Sequence, residues 1–101
     1  MPARYRIARE YKVLKIFDPY TIAILLTLKN GPMNLSEIYR RVSLIAEVSI
    51  VTLIRKVRML NKHGLIYIAE KRRAPFSEEK RYKLSPRGEI IANAFARAVR
   101  Q

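Results

Sequence analysis

From Ala3 to Phe17 the apolar residues Ile7, Tyr11 and Leu14, with Val13, Ile16 and Phe17 beside them, recur at three- and four-residue spacing. That interval returns side chains to one face of an α-helix, so the segment is predicted to be amphipathic and helical. Its other face carries Arg4, Arg6, Arg9, Lys12 and Lys15, which either are simply solvated or lie along phosphates or flank a dimer seam. Asp18 followed by Pro19 marks a second start. The carboxylate can accept a bond from a free backbone N–H, and proline loses nothing at the first helical position. The helix predicted from about Pro19 to Lys29 is apolar nearly all round, with Ile22, Ala23, Ile24, Leu25, Leu26 and Leu28, the pattern of a helix buried in the middle of a fold. Asn30, Gly31 and Pro32 end it, Gly31 being suited to a left-handed cap.

Asn34 and Glu37 have the spacing of a capping box, and Leu35, Ile38, Tyr39 and Val42 supply the inward stripe of a short helix. Ser43 to Glu47 reads as a turn. A longer helix follows from about Val48 to His63, with Leu53, Val57 and Leu60 as its buried stripe and Gly64 as its stop. Leu65 to Glu70 is short and β-prone, Arg81 to Leu84 alternates in the same way, and the polar stretch between them predicts a hairpin with a long tip, about Lys71 to Lys80. Ser85-Pro86 repeats the cap-plus-proline start, and Ile90, Ile91, Ala94, Phe95, Ala98 and Val99 form a stripe on a final helix.

At 101 residues, half of them apolar, the chain suits one compact domain with a modest core. Its 21 Lys and Arg against 8 acidic residues give a net charge of +13, in the range of polyanion binders and pointing to nucleic acid, with a merely solvated or lipid-facing basic surface as the alternative. There is no cysteine, which excludes a disulfide scaffold and a thiolate metal site and suits the cytoplasm. The apolar stretch from Ile22 to Leu28 is too short to span a bilayer, and the arginines near the N-terminus interrupt any signal-peptide core, so neither export nor a membrane partner is expected.

Two helices joined by a turn, the second ending in glycine and running straight into a hairpin, form the layout of a winged helix-turn-helix. The run Ser49-Ile50-Val51-Thr52-Leu53, continued by Val57, Leu60, Gly64, Leu65 and Ile66, resembles the recognition helix and following strand of prokaryotic winged-helix regulators of the MarR, ArsR and PadR type. Leu84-Ser85-Pro86-Arg87-Gly88 resembles the leucine, threonine, two residues, glycine step by which those proteins leave the wing. The resemblance covers about Pro19 to Phe95. With the periodicity, it predicts a mainly α fold with a small β-hairpin (α+β): residues 1–101 as a single winged-helix domain with an N-terminal helix at 1–17, a core at 19–84 and a C-terminal helix at 85–101.

The resemblance implies sequence-specific or semi-specific binding of double-stranded DNA by a transcriptional regulator located at the nucleoid. The helix at about 48–63 would lie in the major groove, and the wing at 65–84 on the backbone or in the minor groove. By position, the exposed candidates on that helix are Ser49, Thr52, Arg55, Lys56, Arg58 and Lys62, with Arg55 the first choice for a bidentate contact to guanine and Arg58 and Lys62 placed for phosphates. In the wing, Lys71, Arg72, Arg73, Lys80, Arg81 and Lys83 stand against Glu70, Glu78 and Glu79. Of these, Lys71, Arg72, Arg73, Lys80 and Arg81 are the candidate phosphate contacts. Tyr67 and Tyr82 are expected to form a cross-strand packing pair, with stacking on an unpaired base as the alternative. The chain departs from the family pattern in two ways. The turn from Ser43 to Val48 is longer than usual, and Ile50, Val51 and Ile54 occupy places that are normally polar and face DNA. These three either meet thymine methyl groups or are covered by the longer turn.

No catalytic set is present. The single histidine, His63, sits at a helix end, where the dipole favours partial positive charge; Glu78 and Glu79 are neighbours on a loop. No metal or other cofactor is expected, and the ligands of an ArsR-type metal site are missing. A homodimer through the terminal helices is expected, against the alternative that these helices pack on each other within one chain. The competing functions are an RNA-binding or ribosome-associated winged helix, a nucleoid-type architectural DNA binder, and a scaffold module in a transcription assembly.

Overall fold

The computed structural model describes residues 17–74 and 77–100. The helix expected from Ala3 to Phe17, with its arginines and lysines, lies outside the described residues except for Phe17. In chain order the elements are α1 (Pro19–Leu28), α2 (Leu35–Ser43), α3 (Ile50–Lys62), β1 (Ile66–Ala74), β2 (Ser77–Leu84) and α4 (Pro86–Arg100).

Helix α1 lies in the middle, in contact with α2, α3, α4 and β2. Its residues Ala23, Ile24, Leu25 and Leu28 are buried, and around them gather Ile38 and Val42 of α2, Leu53, Val57 and Leu60 of α3, Ile66, Tyr82 and Leu84 of the hairpin, and Ala92 of α4. The caps form where the sequence places them. The Asp18 carboxylate accepts from the Thr21 amide at 2.8 Å, and the Asn34 side-chain oxygen accepts from the Glu37 amide at 2.8 Å. Helix α3 starts two residues later than periodicity suggests. Ser49, in extended conformation, is its cap and accepts from the Thr52 amide at 3.1 Å. Val48 precedes the cap and packs against the core that holds Leu53, the two positions of a hydrophobic staple.

The end of α3 sets the direction of the wing. The Gly64 amide bonds the Asn61 carbonyl and the Leu65 amide reaches back to the Leu60 carbonyl, the paired bonds of a Schellman motif. Gly64 supplies the left-handed φ of +74° that this reversal needs. Leu60 and Leu65, the two apolar positions of the motif, are both buried.

The hairpin differs from expectation. The ladder pairs Ile66 with Leu84 and continues through Lys71 with Lys80 and Arg72 with Glu79 to Ala74 with Ser77. Most of the stretch expected as a tip is therefore paired strand. Its charged residues conceal it from a hydrophobic-alternation reading, yet opposite charges across the ladder, as at Arg72 and Glu79, support pairing. The register shifts between Ile68 and Glu70, so Ala69 is the extra residue of a bulge. Tyr67 and Tyr82 do not form the expected pair. Tyr67 lies opposite Lys83 and is exposed, whereas Tyr82 lies opposite Ile68 and is buried; neighbouring register positions send side chains to opposite faces. A further link is absent from the sequence reading altogether: Met33 and Tyr82 exchange backbone hydrogen bonds at 3.0 and 2.8 Å, adding a one-residue third strand beside β2.

The junction into α4 explains the Leu84-to-Gly88 step. The Ser85 hydroxyl donates to the Gly64 carbonyl at 2.6 Å and accepts from the Gly88 amide at 3.1 Å, while the Ser85 amide bonds the Leu65 carbonyl. A Cβ on Gly88 would stand 1.9 Å from that same Leu65 oxygen, so only glycine lets the helix sit this close. Along α4 the expected apolar stripe divides. Ala92 is buried and Ile91 half-buried, and Phe95 meets Phe17 at 5.5 Å between ring centroids, whereas Ile90 and Val99 are 71% and 73% exposed.

Gly88→Ala is expected to destabilise the fold by about 3 kcal/mol, the upper range for overpacking, because the obstructing atom is backbone. Gly64→Ala has open space for its Cβ and is expected to cost only the left-handed strain, about 1 kcal/mol. Urea midpoints at unchanged slope measure both.

Candidate nucleic-acid interface

The buried stripe of α3, Leu53, Val57 and Leu60, leaves an opposite face on which Val51, Arg55, Arg58 and Lys62 follow one another at four-, three- and four-residue intervals, all exposed. Helical geometry puts these four in one outward row. No acidic residue lies in α3. Between α3, the start of α2 and β2 runs an open cleft of about 560 Å³ whose walls include Ser36, Ile54, Arg58 and Lys80. Arg58 and Lys80, far apart in the chain, thus share one concave surface.

Not every cation proposed from sequence is available to a partner. The Lys56 amine is bonded to the Asp18 carboxylate and lies 5.7 Å from the centre of the Tyr20 ring, with its side chain 20% exposed. It ties α3 to the cap of α1. Burial works to raise the Asp18 carboxyl pKa, but the hydrogen bonds from Lys56 and from the Thr21 amide outweigh it and hold the group below its ordinary 3.8. Arg81 is likewise held. One guanidinium nitrogen lies 3.3 Å from Glu37 and 3.4 Å from Glu79, and the other donates to the Pro32 carbonyl at 3.1 Å. Asn34 completes the cluster, donating to Glu79 at 3.0 Å while its oxygen caps α2. That bond, above the charges of Arg81 and Arg72, lowers the Glu79 pKa from 4.5. The Glu37 carboxylate, which a full capping box would turn back to the Asn34 amide, instead engages Arg81 and joins helix to wing.

The remaining candidates are differently placed. Ser49 and Thr52 are bonded to each other, the Ser49 hydroxyl donating to Thr52 Oγ1 at 2.9 Å. Lys71, Arg72, Arg73 and Lys80 are exposed on the wing, Arg72 within 3.6 Å of Glu70. Lys71 and Lys80 occupy opposed ladder positions, a like-charge pairing that disfavours the free hairpin and that a bound anion relieves. The longer turn does not cover the apolar start of α3. Ile50 and Val51 are 42% and 58% exposed, and Leu44 and Ile45 of the turn are themselves open to solvent; only Ile54 is half-buried. Arg40 and Arg41, exposed in the last turn of α2, were not among the sequence candidates, because cations at a helix C-terminus already have a local electrostatic role. His63 is the exposed C-cap of α3. Among the described residues no group of His, Cys, Asp and Glu could hold a metal ion, and no helix is long and apolar enough to cross a membrane.

Asp18→Asn keeps the capping oxygen and removes the ion pair. It is expected to lower stability at neutral pH by up to about 1 kcal/mol. Because the folded pKa of Asp18 is lowered, its contribution is present above about pH 4 and lost as pH falls through that lowered value. The difference between wild type and variant should therefore shrink in acid, as denaturation midpoints taken between pH 7 and pH 2.5 would show.

Residues 16–99 match the family described as HxlR-like helix-turn-helix. No curated protein sequence matches the chain. Among solved structures, a PadR family transcription regulator from hypervirulent Clostridium difficile R20291 is similar with a TM-score of 0.71 at 17% identity, over 82% of this chain and 88% of that one. The transcriptional repressor BigR from Xylella fastidiosa superposes with a TM-score of 0.63 at 20% identity, over 92% and 85%. Bacillus subtilis PadR, solved in complex with operator DNA, gives 0.66 at 19% identity, over 75% of this chain and 46% of that one. At such identities the likeness is one of fold, and it agrees with the α+β winged helix expected from the two motifs. Since the match spans the helix-turn-helix, the hairpin and most of α4, the chain belongs to the HxlR-like helix-turn-helix family, prokaryotic DNA-binding transcriptional regulators.

Proposed function

We propose that this protein binds duplex DNA as a homodimer, with α3 in the major groove and the β1–β2 wing on the phosphate backbone or in the minor groove. The observation that carries this reading is that Arg58, in the exposed row of α3 that also holds Arg55 and Lys62, shares one cleft with Lys80 of the wing. The operator complex of Bacillus subtilis PadR, a structure of the same fold, supports it. Within that surface Arg55 pairs with a guanine edge, while Arg58, Lys62, Lys71, Arg72, Arg73 and Lys80 contact phosphates. Ser49 and Thr52 set the start of α3, and Lys56 and Arg81 hold α3 and the wing at their angles without touching DNA. The protein is a binding module of residues 1–101, works in the cytoplasm on the nucleoid and catalyses no reaction. Exposed Ile90 and Val99 of α4 supply part of the dimer seam.

Affinity for duplex DNA is expected to fall linearly with the logarithm of salt concentration, and Lys71→Ala or Lys80→Ala should each reduce that slope by about one. Arg55→Ala should cost about 1–3 kcal/mol and relax preference at one base pair. Filter binding or fluorescence anisotropy across a salt series checks these outcomes, and tighter binding to structured RNA than to duplex DNA at matched salt would overturn the proposal. For the dimer, sedimentation at tens of micromolar is expected to show a dimer for the wild type and a monomer for Ile90→Glu.

A further inference from the structure

We propose that Ile50 and Val51 read thymine, by packing against its C5-methyl group in the major groove; the inference rests on the DNA-binding reading above. Val51 heads the outward row that continues through Arg55, Arg58 and Lys62, and Ile50 stands beside it in the first turn of α3. Both are substantially exposed although the core lies one face away, and the turn before them leaves them open. The chain from Val48 to Ile54 carries no charge, whereas Arg55, Lys56, Arg58 and Lys62 follow in the rest of the helix. The polar side chains of that first turn are already engaged, since Ser49 both caps the helix and donates to Thr52.

A cationic row brings this face against the DNA backbone, and the first turn then meets base edges with two branched hydrocarbon side chains. Base edges in the major groove present hydrogen-bond donors and acceptors and one apolar group, the thymine methyl. Against Ile50 and Val51, a G·C pair would have its O6, N7 and N4 groups stripped of water with nothing to bond. An A·T pair offers the methyl as a matching apolar surface. The charge around the patch selects this occupant over an apolar protein surface, because docking there would strand Arg55 and Arg58 against hydrocarbon.

The test uses the full chain and a duplex obtained by binding-site selection from random DNA, which should show A·T pairs beside the guanine that depends on Arg55. Replacing the thymines of those pairs with deoxyuridine removes only the methyl groups. Wild type is expected to lose about fourfold in affinity per methyl, the equivalent of one buried carbon, while Ile50→Ala/Val51→Ala should bind both duplexes equally. A thermal midpoint and a salt slope unchanged from wild type confirm that the double variant is folded and still held by phosphates. Equal binding of the thymine and deoxyuridine duplexes by wild type overturns the inference and leaves DNA binding standing, and use of the patch by a protein partner would give the same result. Persistent deoxyuridine sensitivity in the double variant also overturns it. Failure of wild type to bind either duplex at low salt overturns the DNA-binding reading itself.

Discussion

The burial of α1 is the constraint on which the rest of the structure depends. Helices α2, α3 and α4 and strand β2 all meet it, and the fully buried Ile24 and Leu25 give each neighbour an apolar surface that none could complete alone. In so small a chain one such shared core must hold every element. Asp18 makes the same helix matter for function, because its carboxylate caps α1 and receives Lys56 of α3. The helix proposed for the major groove is thereby referenced to the centre of the fold.

The wing is aimed by two separate junctions. At its root, the Schellman turn at Gly64 and the close approach of Gly88 to the Leu65 carbonyl fix where β1 leaves and α4 begins. Farther out, the Met33–Tyr82 bridge and the cluster of Arg81, Glu37, Glu79 and Asn34 bind β2 to the start of α2. The chain thus sorts its many cations into two groups. Lys56 and Arg81 have carboxylate partners from elsewhere in the chain and set angles, while Arg55, Arg58, Lys62, Lys71 and Lys80 remain open at the surface. A basic protein that must keep a charged face extended benefits from this division, since Asp18, Glu37 and Glu79 are placed where they set geometry.

Local chemistry made much of this legible along the chain. The caps at Asp18, Asn34 and Ser85, the stop at Gly64, the stripe of Leu53, Val57 and Leu60, and the order of elements from α1 to α4 follow from side chains acting on their own backbone neighbourhood or recurring at the helical period. The outward row of Arg55, Arg58 and Lys62 follows from the same period. What the tertiary structure alone decided involves residues distant in sequence. The length of the hairpin depends on charged pairs across a ladder, the opposite facing of Tyr67 and Tyr82 depends on register, and the commitment of Lys56 to Asp18 and of Arg81 to Glu37 and the Pro32 carbonyl joins residues far apart in the chain. The exposure of Ile50 and Val51 belongs with these: their apolar character suggested either cover or contact, and only the path of the turn decides that nothing within the described fold covers them. Periodicity records which face a residue occupies, but what that face meets is set by the packing of the other elements.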